Sequence, residues 1–169
     1  MRRKEKEITD PALLSAVLRE VFVCRIGLAD GDEPYVVPVN FVYAERSLYL
    51  HSACEGRKID ILARNNRVCF EAETGVELVR AERACDFSMR YISVIGTGTA
   101  SFVTNPGEKS RVLDRFMEKY AGGGDWSYPG AALRGVVVIR VDVETLTGES
   151  SGYTGEEVRR FLAGEPEGS

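Results

Sequence analysis

The spacing of hydrophobic residues along the chain changes between a helical period and the two-residue period of β-strands. Helical spacing next to capping residues predicts helices over 10–21, 56–65 and 104–122. Alternating apolar positions predict strands over 21–29, 35–43, 47–52, 67–74, 90–103 and 135–149. Because short turns separate the first three of these strands, we expect them to form three adjacent antiparallel strands.

The remaining segments have no clear period. Residues 75–88 predict a loop or an irregular strand pair, and the glycine-rich residues 122–130 predict a flexible connection. The last segment, 157–169, is expected to fray at its end. Gly96 and Gly98, inside the fifth predicted strand, predict a bend or a bulge there.

The order of these elements limits the fold class. Six or seven strands joined mostly by short turns, with two or three helices at separated positions, do not fit a doubly wound parallel sheet. They predict a mainly β fold with peripheral helices (α+β), as a closed or split antiparallel β-barrel. With 169 residues, we expect a single domain over 1–169, with a core at about 10–145 and a C-terminal tail over 146–169.

Charge and apolar content disfavour several classes of partner. The formal net charge is −4 and the pI is near 5.2, whereas nonspecific nucleic-acid binding needs a basic surface. The longest apolar runs, such as GVVVIRV, are shorter than the roughly 20 residues that cross a bilayer, and the N-terminal MRRKEKE has no apolar signal core. We therefore expect a cytoplasmic protein that binds neither nucleic acid nor membrane.

The four cysteines include no CxxC pair and no histidine at metal-ligand spacing, so no metal site is predicted. Cys24 and Cys69 each lie in an apolar, strand-like run, and we expect both to be small core residues. The sequence leaves the role of Cys54, which lies near His51, undecided.

The stretch HSACEGRKIDILARNN, from His51 to Asn66, contains the one histidine of the chain. Gly56 would allow a ligand to approach closely, the free amides of a helix start would point outward, and Arg57 and Lys58 add positive charge. This combination predicts an anion site. A turn glycine followed by two solvated cations explains the same residues, and the local pattern does not choose between these two interpretations.

Other candidate motifs are weaker. The segment GTGT lacks the third glycine of a dinucleotide loop and lies inside a β run. His51 and Cys54 are not part of a nucleophile motif, so a histidine that satisfies its hydrogen bonds at a strand end is favoured over a hydrolytic pair. Trp126 and Tyr128, in the glycine-rich segment, form either a lid or an apolar anchor for their loop.

Four segments of the chain resemble, in order and spacing, the nitroimidazole-resistance (Nim) branch of the pyridoxamine-5′-phosphate-oxidase-like flavoproteins. They are VPVNFVY, LYLHSACEGRKIDILARNNRVCFEAE, CDFSMRYISVIGTGTA and NPGEKSRVLDRFMEKY. The resemblance spans roughly Asp10 to Asp142. It implies a split β-barrel of FMN-binding type and a homodimer that holds FMN at the subunit interface. It also implies an oxidoreductase that uses FMN to reduce nitroaromatic or 5-nitroimidazole-like electron acceptors.

The resemblance further implies which residues bind the cofactor. In chain order they are Pro38, Val39, Asn40, Phe41, His51, Ser52, Gly56, Arg57, Lys58, Ser93 and Val94. By this similarity, Arg57 and Lys58 would grip the FMN phosphate, assisted by Ser52 or by the backbone near Gly56. A dianionic phosphate would explain why two cations stand at a helix start.

The same resemblance implies the surroundings of the flavin ring. The strand with residues 38–41 would lie along the isoalloxazine, with backbone amides able to reach its polar edge. His51 would lie near the ring, and Tyr91, Ser93 and Val94 would line the site from the same or the partner chain. His51 and Tyr91 are the candidate catalytic residues, as proton donors.

One departure from the family concerns the substrate. The oxidases that act on pyridoxamine phosphate have a C-terminal segment rich in tryptophan and arginine, whereas this chain ends in GYTGEEVRRFLAGEPEGS. Pyridoxamine phosphate is therefore disfavoured as the substrate. The alternatives to a nitroreductase are an FMN-binding module for storage or sensing, an oxidase-like protein of other specificity, and a structural barrel with an empty site. Haem or a deazaflavin in place of FMN is also compatible with the sequence.

Overall fold

The computed structural model describes residues 4–165 and has, within them, five α-helices and eight β-strands. The helices are α1 (Pro11–Glu20), α2 (Arg57–Arg64), α3 (Pro106–Ala121), α4 (Gly130–Arg134) and α5 (Gly155–Leu162). The strands are β1 (Glu7–Ile8), β2 (Val23–Asp30), β3 (Glu33–Asn40), β4 (Val42–Ala44), β5 (Ser47–Ala53), β6 (Arg67–Val79), β7 (Ser88–Val103) and β8 (Val136–Ser151). The expectation of two or three helices was wrong, because α4 and α5 are additional.

The described residues belong to two compact units. Of the residues that the structure describes, the first unit contains 4–21, 71–96 and 146–165, and the second contains 22–70 and 97–145. Strands β6, β7 and β8 contribute residues to both units. The single domain predicted over the whole chain stays a prediction.

The second unit contains a curled antiparallel sheet. Its strands follow the order β3-β2-β6-β7-β8-β5-β4, and the β2–β3, β4–β5 and β5–β8 pairs are antiparallel. The edge strands β3 and β4 are consecutive in the chain, with only Phe41 between them. The sheet must therefore curl back toward itself while staying open between these two edges. The prediction of a mainly β, split antiparallel barrel with peripheral helices is confirmed.

Phe41 divides the strand that was predicted over 35–43. Its N–H donates to the Tyr120 hydroxyl (2.9 Å), and its carbonyl accepts from the Lys119 ammonium (3.1 Å), so side chains of α3 satisfy its backbone. The residues before Phe41 pair with β2, and those after it pair with β5. The two antiparallel pairings expected among the first three strands are present, but the three are not one adjacent set, because the break at Phe41 puts β3 and β4 at opposite edges of the sheet.

Alternate side chains of the strands in the second unit form its core. Cys24 on β2 is fully buried, which confirms its predicted core position. On β6, Val68 and Phe70 are buried, so Cys69 between them faces outward and is exposed. The core position predicted for Cys69 was wrong, because the run around it is buried on one face only.

Local capping fixes the ends of the helices as the sequence predicted. The Asp10 carboxylate accepts from the Ala12 amide (2.9 Å) at the start of α1. The Asn105 side chain accepts from the Glu108 amide (3.0 Å) at the start of α3, which ends at Gly122 with φ of 75°. Among the helices of residues 4–165, none has the length and apolar character needed to cross a bilayer.

The first unit contains α1, α5, β1 and parts of the long strands. Residues 75–88 were predicted to form a loop or an irregular strand pair, and the loop interpretation is wrong for 75–79, because β6 continues to Val79. A 3₁₀ turn (Ala84–Asp86) precedes β7. The Tyr153 hydroxyl donates to the carbonyl of Gly75 (2.8 Å), where φ is 61°. Strand β6 therefore continues through Gly75, whose positive φ suits a residue without a side chain.

Helix α5, which the sequence was not expected to contain, begins with a capping box. The Thr154 amide donates to the Glu157 carboxylate (2.6 Å), and the Glu157 amide donates to the Thr154 hydroxyl (3.2 Å). The spacing of threonine and glutamate was a visible signal for this helix, which packs against α1. The fraying expected at the chain end falls mainly on residues 166–169, outside the described residues.

Candidate functional site

The end of β5 and the start of α2 form a short corner in the second unit. His51 and Ser52 pair with Val138 and Val137 of β8, and both are half-buried. The chain then turns at Gly56, where φ is 125°, a backbone conformation that suits glycine. Among residues 4–165, no side chain caps the start of α2, where the amides of Ile59 and Asp60 donate to the Gly56 carbonyl and those of Arg57 and Lys58 precede them.

His51 lies at the inner side of this corner. Its Nδ1 atom is buried and has no hydrogen-bond partner among the described residues. Burial lowers the pKa of the imidazole, and the positive charge of Lys58 lowers it further. A buried polar atom without a partner costs about 1–3 kcal/mol, so its presence in a folded chain suggests a ligand or water that completes the bond.

The two adjacent cations have different surroundings. The Arg57 guanidinium is exposed, lies 2.8 Å from the Glu33 carboxylate, and stands over the Tyr35 ring at 5.0 Å from its centroid. The hydrogen bond to Glu33 is the main cause that raises the pKa of Arg57. Lys58 is half-buried, and burial lowers its pKa. Among the residues that the structure describes, Lys58 has no ion pair with a carboxylate.

These features together give the corner between β5 and α2 the positive charge that an anion site needs. An uncapped helix start carries partial positive charge, and the unbalanced charge of Lys58 adds to it. A Cβ placed on Gly56 would meet nothing within 4 Å, so the corner is open. The half-burial of Lys58 favours the anion site over solvated cations, whereas Arg57 is exposed, as the solvated interpretation expects.

Residues 38–41, which were predicted to lie along the isoalloxazine ring of the flavin, occupy the end of β3 and the break after it. Pro38 and Asn40 are exposed, whereas Val39 and Phe41 point into the core. The backbone N–H and carbonyl of Phe41 are both bonded to side chains of α3. In this structure, the exposed edge therefore presents Pro38 and Asn40.

Three other predicted site residues lie on β7, in the first unit. The Tyr91 hydroxyl donates to the Glu149 carboxylate (2.9 Å). The side chain of Val94 is fully buried, and Ser93 is half-buried. The roles predicted for Tyr91, Ser93 and Val94 remain predictions.

The glycine-rich segment after α3 has an anchored and a free aromatic residue. The Tyr128 hydroxyl donates to the Asp114 carboxylate (3.0 Å), and burial together with this bond raises the pKa of Tyr128 to about 12. Trp126 is 48% exposed and, with Glu118 and Asp125, borders an open cavity of about 310 Å³. Tyr128 thus acts as the loop anchor.

Cys54 is also exposed, with its thiol 3.3 Å from the carbonyl of Arg134.

The sequence did not identify two groups of residues around the corner. Glu33 and Tyr35 contact Arg57 from β3, and Phe116 on α3 meets the His51 ring. The helical period placed Phe116 on the apolar face of α3 but could not show which strand that face covers. Among residues 4–165, no group of His, Cys, Asp and Glu side chains has the arrangement of a metal site.

Comparison with known proteins adds a family and a fold. Residues 10–150 match the family model described as pyridoxamine 5′-phosphate oxidase. The chain is similar to the solved structure of a candidate 5-nitroimidazole antibiotic resistance protein from Bacteroides thetaiotaomicron. The identity is 37%, the TM-score is 0.76, and the match covers 85% of this chain and 86% of that one.

Two less similar structures share the fold. One is the FAD- and haem-binding protein from Mycobacterium smegmatis, with 17% identity, a TM-score of 0.76, and coverage of 93% of this chain and 80% of that one. The other is the flavocytochrome Anf3 from Azotobacter vinelandii, with 18% identity, a TM-score of 0.75, and coverage of 92% and 75%. The comparison with curated proteins gave no match.

Proposed function

Since the chain belongs to the pyridoxamine 5′-phosphate oxidase family, in its nitroimidazole-resistance-like branch, we propose that it is an FMN-dependent oxidoreductase that reduces nitroaromatic compounds of the 5-nitroimidazole type. The observation that carries this proposal is the corner between β5 and α2. There, an unbalanced, half-buried lysine and an uncapped helix start adjoin a histidine whose Nδ1 has no partner. An anion with an adjoining polar ring would satisfy all three groups.

The residues of the corner fit a flavin phosphate. The Lys58 ammonium and the first amides of α2 would bind the phosphate oxygens, and the hydroxyl of Ser52 lies at the end of the neighbouring strand. Gly56 leaves room for the phosphate to approach the backbone. When bound, the flavin supplies the electrons for reduction of the acceptor.

His51 has the properties of a proton-handling group at this site. Because burial and Lys58 both lower its pKa, the imidazole is neutral near pH 7. A neutral imidazole can donate from one nitrogen and accept at the other. It would orient a polar group of the ligand through Nδ1 and exchange a proton with it.

We extend the proposal to a homodimer with FMN at the interface. In the first unit, several large apolar side chains on β6, β7 and the turn between them are exposed. They are Val76, Leu78, Phe87, Met89 and Ile95. Several large apolar side chains exposed in one unit favour a surface that a partner covers, and a second copy of the chain would be that partner.

The function is tested in two steps on the purified protein. The first step is mass spectrometry of whatever small molecule co-purifies, which we expect to identify FMN. In the second step, the flavin is reduced without oxygen and mixed with a 5-nitroimidazole, and we expect reoxidation much faster than with buffer. Unaccelerated reoxidation of a bound FMN would support a storage or sensing module instead, and the absence of any flavin would reject the proposal.

A further inference from the structure

Arg57 and Lys58 are neighbours in sequence but contact different parts of the second unit. The Arg57 side chain leaves the helix start and lies against β3. Glu33 and Tyr35 are two residues apart on that strand, so their side chains project from the same face. The guanidinium contacts both, at 2.8 Å from the Glu33 carboxylate and at 5.0 Å from the Tyr35 ring centroid.

This pair of contacts occupies the guanidinium in two ways. The carboxylate takes one edge through a charge-assisted hydrogen bond, and the aromatic face attracts the cation from a second direction. Both partners belong to β3, whereas Arg57 is the first residue of α2. The arginine therefore links the start of the helix to the strand.

Lys58 differs in burial and in partner. It is half-buried, burial lowers its pKa, and no ion pair of Lys58 is found among residues 4–165. Its charge also lowers the pKa of His51, which lies near the end of β5. A partly desolvated cation without a counter-charge binds an anion more strongly than one that already has a carboxylate.

We propose that Lys58 alone is the side chain that recognises the phosphate of the flavin, and that Arg57 is a positioning residue that fixes the start of α2 against β3. This inference rests on the proposed function and divides the work of the two cations. The contribution of Arg57 to phosphate binding is indirect. It holds the uncapped amides of α2 in the orientation in which they face the anion.

The division predicts different ligand selectivity for the two substitutions. Binding of FMN is measured by fluorescence quenching of the cofactor-free protein, and binding of riboflavin, which lacks the phosphate, by competition with FMN. Lys58→Met should raise the Kd of FMN by about 10- to 100-fold and change the Kd of riboflavin by less than about threefold. Arg57→Ala should raise the Kd of FMN by a smaller factor, about threefold, because it only loosens the amides that face the phosphate, and it should leave the Kd of riboflavin unchanged.

Arg64→Ala is the matched control. Arg64 also lies on α2 and makes an exposed ion pair, 2.7 Å from the Asp30 carboxylate, but at the other end of the helix. We expect parent-like binding of both flavins by this variant. If Arg57→Ala lowers the affinity for FMN relative to that for riboflavin as much as Lys58→Met does, the proposed division of roles is overturned.

A second measurement does not depend on flavin. The amides of Ile59 and Asp60 donate to the carbonyl of Gly56 (2.8 and 3.1 Å) in the first turn of α2. In the cofactor-free protein, hydrogen exchange of these amides should be about tenfold faster in Arg57→Ala and parent-like in Lys58→Met and Arg64→Ala. Parent-like exchange in Arg57→Ala would overturn the positioning role. If the parent bound neither flavin while the exchange result held, the proposed function would fail and the positioning role would stand.

Discussion

The His51 ring meets the Phe116 ring edge to face, with 4.6 Å between the centroids and 85° between the planes. This contact places the one histidine of the chain against the core cluster that Phe116 shares with Val42, Tyr49, Val112 and Val138. The imidazole therefore has an apolar neighbour, and the positive charge of Lys58 also acts on it. Both neighbours favour its neutral form.

The first prediction concerns stability and pH. A histidine whose pKa is lower in the folded than in the unfolded chain makes the unfolded state bind more protons. The free energy of unfolding should therefore fall as the pH decreases through the ordinary histidine value of 6.5, until the folded pKa is passed. Urea denaturation at pH 7.5, 6.5 and 5.5 measures this fall. In His51→Gln the imidazole is absent and all carboxylates are unchanged, so the histidine contribution to the pH dependence should disappear. An identical pH dependence of the unfolding free energy in both proteins would contradict the prediction.

The second prediction isolates the effect of Lys58 on His51. Because the charge of Lys58 is the second cause of the lowered pKa, Lys58→Met should raise the pKa of His51 toward its ordinary value. A single histidine gives one set of imidazole signals, so NMR titration measures this pKa without assignment. Arg64→Ala should leave the titration unchanged. An unchanged pKa in Lys58→Met would show that the two side chains do not interact.

The third prediction concerns the break between β3 and β4. Tyr120 accepts a hydrogen bond from the N–H of Phe41 (2.9 Å) and also contacts the carbonyl of Phe22. Tyr120→Phe should lower the free energy of unfolding by about 1–2 kcal/mol, because it leaves a buried amide unpaired. Chemical denaturation measures this loss. Tyr128→Phe removes one hydrogen bond to Asp114 in a surface loop and should lower the free energy of unfolding by less. Equal losses in the two variants would contradict the prediction that Tyr120 stabilises the strand break at Phe41.

Much of the fold was predictable because its signals are local. The caps at Asp10 and Asn105 and the glycine after α3 specify helix ends within a few residues of sequence, and the structure has those ends. The capping box at Thr154 is equally local and would have identified α5. Cys69 was misplaced because an apolar run can be buried on one face or on both, and the residues alone do not distinguish these cases.

The remaining features depend on contacts between distant residues. The strand break at Phe41 arises because Lys119 and Tyr120, from a helix far along the chain, bind its backbone. Likewise, the motif at Gly56 indicated an anion site, but only the packed structure shows that Arg57 is paired with Glu33. Hydrophobic period and capping contain no information about either pairing, because both are set by tertiary packing.

The last prediction concerns the turn at Gly56, between β5 and α2, where we propose that the flavin phosphate binds. Gly56 and Gly155 each lie at the start of an eight-residue helix, and a Cβ on either would meet nothing within 4 Å. They differ in backbone conformation, because φ of Gly56 is 125° and Gly155 is not among the positive-φ glycines. Gly56→Ala should therefore lower the free energy of unfolding by about 1–3 kcal/mol through strain alone, and weaken flavin binding as the helix start shifts. Gly155→Ala should be neutral or slightly stabilising. Since crowding is absent at both positions, equal effects of the two substitutions would mean that the conformation at Gly56 is not required.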